Sequence, residues 1–218
     1  MIIDIIKKDI CPLHIEDEGI NTLAIMDEYK THQLPVVNGN NEFLGLINEN
    51  VIMNMEDLKN SLQFVRREIH KIFVVFDAHI FEAIKILSEN QLSILPVVDK
   101  DHNYIGHITA IDIIKKIGET NTNYSHTFII VISTKPKNYL LSEISRLIEE
   151  NSGTILKLWK ELKEEKTNIH ILVTCTNSER IIKVLERYDY NISNVFINKS
   201  DVRHLDDRFE SFIQYLNP

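Results

Sequence analysis

A threonine and an aspartate near the middle of the chain lie at the start of a predicted helix. Thr109 ends a β-rich run, and Asp112 follows three residues later in the first turn of a helical pattern. A carboxylate has two acceptor oxygens and can hold the vicinal hydroxyls of a ribose. The free amides and the positive dipole end of a helix N-terminus suit a phosphate. The pair is therefore a candidate site for a nucleotide.

The same spacing has a purely structural interpretation. A threonine followed three residues later by an acid forms a capping box, in which the two side chains satisfy free amides at the helix start. Such a cap contributes about 0.5–2 kcal/mol without any ligand. The residues by themselves leave both interpretations open.

Both residues belong to a segment that occurs twice, 61 positions apart. Leu34–Val37 returns as Leu95–Val98, and seven of the 19 aligned positions in windows 34–52 and 95–113 are identical. One copy is too small to bury its own apolar faces, which predicts a pseudo-symmetric pair of modules. The cleft between the modules is the expected place for a ligand.

The first copy differs at both positions that carry the chemistry. Asn48 replaces Thr109, and Val51 replaces Asp112. Valine has no acceptor for a ribose diol. The sequence therefore predicts one functional site for the pair of copies.

Apolar periodicity predicts the order β-α-β-β-α in each copy. In the second copy the predicted elements are strand 72–76, helix 78–90, strands 94–98 and 104–109, and helix 110–117. In the first copy they are helix 18–31, strands 33–37 and 43–47, and helix 50–55.

This pattern resembles the CBS domain, which normally occurs as a tandem pair, the Bateman module. The resemblance is carried by Leu-Pro-Val-Val in both copies and by Gly106–Asp112, which matches the family's glycine, two-residue spacer, Ser/Thr, two-residue spacer, Asp signature. It covers residues 1–120, with one repeat at 1–60 and the other at 61–120.

The resemblance implies a ligand and a set of contacts. Asp112 would hold the ribose 2′- and 3′-hydroxyls of an adenosine nucleotide such as AMP, ADP or ATP, and Thr109 would lie near its phosphate. The base would enter an apolar slot formed partly around Ile10 and Cys11 and by the strand entered at His32. Some CBS modules place a histidine against the phosphate at the position of His32, and a surface histidine at a strand start is the alternative.

Residues 125–200 follow a different pattern. Apolar runs predict strand 127–134, helix 138–151, strands 154–162 and 169–176, helix 178–188 and strand 193–197. This βαββαβ order is the split form in which two helices cover one face of an antiparallel sheet. It resembles a ferredoxin-like ACT domain, and a CBS pair before it is similar to the acetoin-utilization B family. Residues 201–218 are predicted as a docking helix.

Bulk properties narrow the class of protein. A net charge of −8 argues against nonspecific nucleic-acid binding, and no apolar run approaches the roughly 20 residues that span a bilayer. The N-terminus has charges within its apolar run and no small-residue cleavage site, so we do not expect a signal peptide. Two cysteines without a disulfide pattern predict a cytoplasmic protein.

These observations predict a non-enzymatic regulatory protein of the mixed α/β class. Its nine histidines show no metal-ligand spacing, and no nucleophile motif occurs. His107 alternates with Ile108 and is predicted to point away from the core. CBS pairs commonly associate, so a homodimer is expected. The alternative is a structural protein that oligomerises through its CBS and ACT-like domains without a ligand.

Overall fold

The chain divides into two units, Met1–Thr120 and Asn121–Pro218, which are described separately. The structure is a computed structural model and describes residues 1–119, 126–135, 139–163 and 166–197. The helix predicted over 201–218 lies outside these residues.

The first unit contains the two repeats, and each repeat follows the predicted element order. Its elements are β1 (Leu13–His14), α1 (Gly19–Tyr29), β2 (Gln33–Val37), β3 (Phe43–Asn48), α2 (Glu49–Met53), β4 (Val74–Val75), α3 (Ile80–Glu89), β5 (Ile94–Val98), β6 (Tyr104–Thr109) and α4 (Ala110–Gly118). Short 3₁₀ segments at Ile2–Ile5 and Leu62–Glu68 precede the two repeats.

Each repeat builds one three-stranded sheet, β1-β2-β3 in the first and β4-β5-β6 in the second. The outer strand pairs parallel with the middle strand, and the other pair is antiparallel. Gln33 pairs with Asn48, and Ile94 pairs with Thr109. The two registers are equivalent under the 61-residue shift, so the duplication seen in the sequence is also a duplication of structure.

The segment before the first strand of each repeat packs on the other repeat. Ile2 is fully buried in the core of the second repeat, and Lys7 forms an isolated antiparallel bridge with His107. In the same way, His70 bridges to Leu46 of the first repeat. This exchange brings residues near the N-terminus to the start of α4.

A small apolar cluster closes the junction between the repeats. Val37, Phe43, Val98 and Tyr104 are buried together. The amide of Phe43 donates to the carbonyl of His102, and the amide of Tyr104 donates to Asn41, at 3.0 and 3.1 Å. These matched contacts give the pair its approximate twofold relationship.

Strand 72–76 is shorter than its apolar run predicts. Only Val74 and Val75 pair, with Val97 and Val98. The chain turns directly afterwards, where the amide of Ala78 donates to the carbonyl of Val75 at 3.0 Å. Ile72 and Phe76 of the run pack against the core of the second repeat, and Phe73 packs against the apolar cluster at the junction of the repeats.

The second unit has the predicted βαββαβ order. Its elements are β7 (Thr127–Thr134), α5 (Leu141–Glu150), β8 (Thr154–Leu162), β9 (Thr167–Thr174), α6 (Ser178–Arg187) and β10 (Ile192–Ile197). The sheet order is β10-β7-β9-β8, with every pair antiparallel. Apolar side chains of α5 and α6 form one core with the sheet, so the ferredoxin-like prediction is confirmed.

Candidate functional site

The start of α4 is built by a reciprocal cap. The amide of Asp112 donates to Thr109 Oγ1 at 3.3 Å, and the amide of Thr109 donates to Asp112 Oδ2 at 3.0 Å. The Thr109 hydroxyl also donates to the same carboxylate oxygen at 2.7 Å. The sequence pattern for a capping box is therefore realised in full.

The second oxygen of the same carboxylate belongs to an ion pair. Lys7 Nζ lies 2.5 Å from Asp112 Oδ1. The Asp112 side chain is only 5% exposed, whereas the Lys7 side chain is 42% exposed. A buried carboxylate is thus neutralised by a cation that reaches it from the solvent side.

The environment shifts the pKa values of both partners. Burial opposes ionisation of Asp112, but hydrogen bonds from Lys7 and Thr109 outweigh it and hold its pKa below the ordinary 3.8. The hydrogen bond to Asp112 raises the pKa of Lys7 above 10.5. Both groups are therefore charged at neutral pH.

Backbone pairing fixes the position of Lys7. Its amide donates to the His107 carbonyl at 2.8 Å, and the His107 amide donates to the Lys7 carbonyl at 2.9 Å. Gly106 allows this approach: its φ is +152°, and a Cβ on it would overlap the Lys7 carbonyl oxygen. The repeated glycine of the motif thus serves to dock the exchanged segment.

His107 does not point away from the core, and that prediction is wrong. Its side chain is fully buried. Nε2 lies 3.2 Å from Asp9 Oδ1, but the geometry is not that of a hydrogen bond, and Nε2 has no such partner among the described residues. The leading segment that pairs with His107 brings Asp9 beside the imidazole, and the Tyr104 hydroxyl lies 3.5 Å from Nδ1, so the side chain is enclosed where alternation assigns it to solvent.

The first repeat lacks the acidic site. Its short helix α2 is capped by Asn48, whose side chain accepts from the amide of Asn50 at 3.0 Å. Val51 stands at the position equivalent to Asp112 and packs against the core of that repeat. The start of α2 therefore has no carboxylate at this position.

The three other residues predicted for the site belong to the first repeat. Ile10 is partly buried against the core of the first repeat, and Cys11 is exposed. His32 is 82% exposed, and its Nδ1 lies 2.5 Å from Glu49 Oε2 at the start of α2. The residue of the second repeat that is equivalent to His32 is Ser93, which precedes the strand position that pairs with Thr109. The amide of Ser93 donates to Gln33 Oε1 at 3.3 Å.

The structure thus brings together Thr109 and Asp112, and it places His32 in contact with Glu49. Sequence reasoning missed Lys7. The contact spans more than 100 residues and depends on the exchange of segments, so neither local periodicity nor motif spacing indicates it.

The described residues contain neither a metal-binding cluster nor a membrane-spanning helix. Within the described ranges, no three His, Cys, Asp or Glu side chains cluster so as to hold a metal ion. Among the helices of the same ranges, none is long and apolar enough to cross a membrane.

The duplicated three-stranded sheets and the capped helix with its buried acid are the features of a CBS domain pair. The CBS domain family matches residues 2–55 and 63–119, half of the chain, and the chain belongs to this family.

Two curated relatives come from Methanocaldococcus jannaschii. An inosine-5′-monophosphate dehydrogenase is 26% identical over 113 residues, which is 52% of this chain but only 23% of the dehydrogenase. An uncharacterized protein is 27% identical over 153 residues, covering 54% of this chain and 90% of that protein. The chain therefore spans less than a quarter of the length of the dehydrogenase.

A solved structure shows the same fold. A CBS domain pair/ACT domain protein from Thermotoga maritima has a TM-score of 0.50 at 22% identity, covering 56% of this chain and 98% of that chain. The tandem CBS resemblance is confirmed, whereas the resemblance to the acetoin-utilization B family stays a prediction.

Proposed function

We propose that this protein is a non-enzymatic regulator whose CBS pair binds one adenosine nucleotide, AMP, ADP or ATP. Asp112 holds the ribose hydroxyls, and Thr109 lies beside the phosphate. Ile10, Cys11 and His32 contribute to the slot for the base and its approach. The observation that carries this proposal is a buried carboxylate at the start of α4, at a position where the sister repeat has valine.

Regulation follows from the position of the site in a two-repeat unit. A ligand that contacts both repeats binds one relative arrangement of the repeats more tightly than another. It therefore stabilises the arrangement that it binds best. The exchanged N-terminal segment reaches the acid through Lys7, so ligand binding at Asp112 acts on a contact between the two halves. The ACT-like unit would transmit this change or provide a dimer contact.

A thermal-shift panel of AMP, ADP and ATP tests the proposal. A ligand at 100 times its Kd stabilises the folded protein by about 2.7 kcal/mol, which raises Tm by several degrees. The Asp112→Asn variant should fold and lose this response. Asp101→Asn is the matched control, because Asp101 is an exposed acid in the turn before β6, and it should keep the full response.

The complete cap favours a second candidate function. Both oxygens of Asp112 already have protein partners, as expected if the residue only stabilises α4. The protein would then be a structural component that oligomerises without a ligand. An unchanged Tm with all three nucleotides, together with a lower Tm for Asp112→Asn, would reject nucleotide binding and favour this function instead.

The proposal includes a homodimer. Helices α3 and α4 leave an apolar groove that is lined by Ile84, Leu87, Ile113, Ile114 and Ile117. Ile114 in this groove is mostly exposed, as is Phe81 on α3. A second copy of this chain would cover these side chains, and light scattering after size exclusion should give twice the monomer mass. Ile114→Glu should return the protein to monomers. The same proposal assigns the protein to the cytoplasm.

A further inference from the structure

Lys7 forms an ion pair with the Asp112 carboxylate, which the proposed ligand needs as an acceptor. Asp112 Oδ2 accepts from the amide and hydroxyl of Thr109, at 3.0 and 2.7 Å. Its other oxygen, Oδ1, is 2.5 Å from Lys7 Nζ, and only 5% of the side chain is exposed. A ribose diol needs carboxylate lone pairs that face the cleft. Oδ2 already accepts two hydrogen bonds, and Lys7 takes one of the two acceptor positions of Oδ1, so the carboxylate cannot accept both hydroxyls of a diol while the ammonium group of Lys7 remains there.

The twofold relationship shows that the lysine and the acid occur together. Lys7 bridges His107 of the second repeat, and His70 bridges Leu46 of the first repeat in the equivalent way. The first repeat therefore has histidine where the second has lysine. It also has Val51 where the second has Asp112. The cation is present at the repeat that keeps the acid.

The backbone and the side chain of Lys7 are held differently. Two hydrogen bonds of 2.8 and 2.9 Å tie its backbone to His107. The side chain is 42% exposed, and its ammonium group reaches the carboxylate from the solvent side. Rotation about side-chain bonds can therefore release Asp112 without opening the backbone bridge.

We infer that Lys7 is a latch: in the ligand-free protein its ammonium group holds Asp112, and an adenosine nucleotide must displace it to reach the carboxylate. This inference rests on the proposed function and adds the regulation of the same site. Lys7 lowers the apparent affinity for the nucleotide, because part of the binding free energy is spent on breaking the ion pair. The released lysine is then free in solvent.

Titration calorimetry with AMP, ADP and ATP on Lys7→Met tests the latch. We expect the best-binding nucleotide to bind about tenfold more tightly than to wild type, a change of ~1.4 kcal/mol. Lys8→Met is the matched control, since it removes the same charge from an exposed neighbour and should leave affinity within about twofold. Equal or weaker binding to Lys7→Met would overturn the latch while leaving the proposed site intact.

Amine labelling tests the contact without relying on affinity. In the nucleotide-free protein, acetylation read by mass spectrometry should be slower at Lys7 than at Lys8, and Asp112→Asn should remove the difference. Saturating nucleotide should speed labelling of Lys7 in wild type. Protection of Lys7 by nucleotide would mean that it binds the ligand, and the latch would be wrong. Failure of wild type and Lys7→Met alike to bind any nucleotide would instead reject the proposed function, and the latch with it.

Discussion

Val51 and Asp112 occupy the same position in the two repeats, three residues after the cap of the helix that follows the antiparallel strand pair. Asp112 returns a hydrogen bond of 3.0 Å to the amide of the capping residue Thr109. Val51 packs on apolar neighbours, and the cap residue Asn48 serves only the amide of Asn50. One duplication has thus produced one helix start with an acid at this position and one with an apolar side chain there, and the acid marks the candidate site.

This asymmetry predicts the stoichiometry of binding. We expect isothermal titration to give one adenosine nucleotide per chain, because only Asp112 offers a carboxylate to a ribose. The number should stay at one in Asn48→Thr, since a threonine at the first cap without an acid still lacks the diol acceptor. Two equal sites per chain in wild type would contradict this.

The cap at α4 should contribute measurably to stability. Thr109→Ala removes the hydroxyl that accepts from the Asp112 amide and donates to its carboxylate, so we expect the free energy of unfolding to fall by about 0.5–2 kcal/mol. Thr109→Ser keeps the hydroxyl and should lose at most about 0.5 kcal/mol. Urea denaturation measures both, and an alanine variant as stable as the serine variant would speak against the cap.

Gly106 should resist substitution. Its φ of +152° is unfavourable for other residues, and a Cβ would overlap Lys7 and lie 2.6 Å from Ile6 Cγ2. We expect Gly106→Ala to cost about 1–3 kcal/mol from backbone strain alone. Gly39 has open space around it, so Gly39→Ala should change the free energy of unfolding by less than about 0.5 kcal/mol. Similar effects of the two changes would exclude the close approach.

The buried imidazole of His107 predicts a pH dependence. Burial lowers its pKa below the ordinary 6.5, although the carboxylates of Asp9 and Asp112 oppose this and Lys7 adds to it. The unfolded chain binds this proton near pH 6.5 and the folded chain only at lower pH. The free energy of unfolding therefore falls as pH drops below about 6.5, and this residue contributes no pH dependence above it.

His107→Leu tests that dependence with the residue that the first repeat has at the equivalent position, Leu46. Leucine leaves no buried nitrogen without a hydrogen bond, so we expect the variant to be at least as stable as wild type at neutral pH. The decline between pH 6.5 and 5 should become shallower in denaturation curves. A variant with an unchanged pH profile would show that His107 does not cause the decline.

The sequence by itself determined the modules and their local structure. The repeat is visible when the sequence is compared with itself at a shift of 61 residues. Local patterns predict the cap formed by Thr109 and Asp112 and the strands Gln33–Val37, Ile94–Val98 and Thr127–Thr134. Strand pairing within a repeat and helix capping are short-range, so periodicity and spacing are sufficient to predict them.

Only the tertiary structure decided what surrounds the acid. Lys7 meets Asp112, and His107 becomes buried, because each leading segment crosses to the other repeat. Alternation along β6 assigns His107 to solvent. No local pattern reveals that a segment distant in the sequence lies beside this side chain. The charge balance at the candidate site is therefore a long-range property, fixed by the packing of one repeat against the segment that precedes the other.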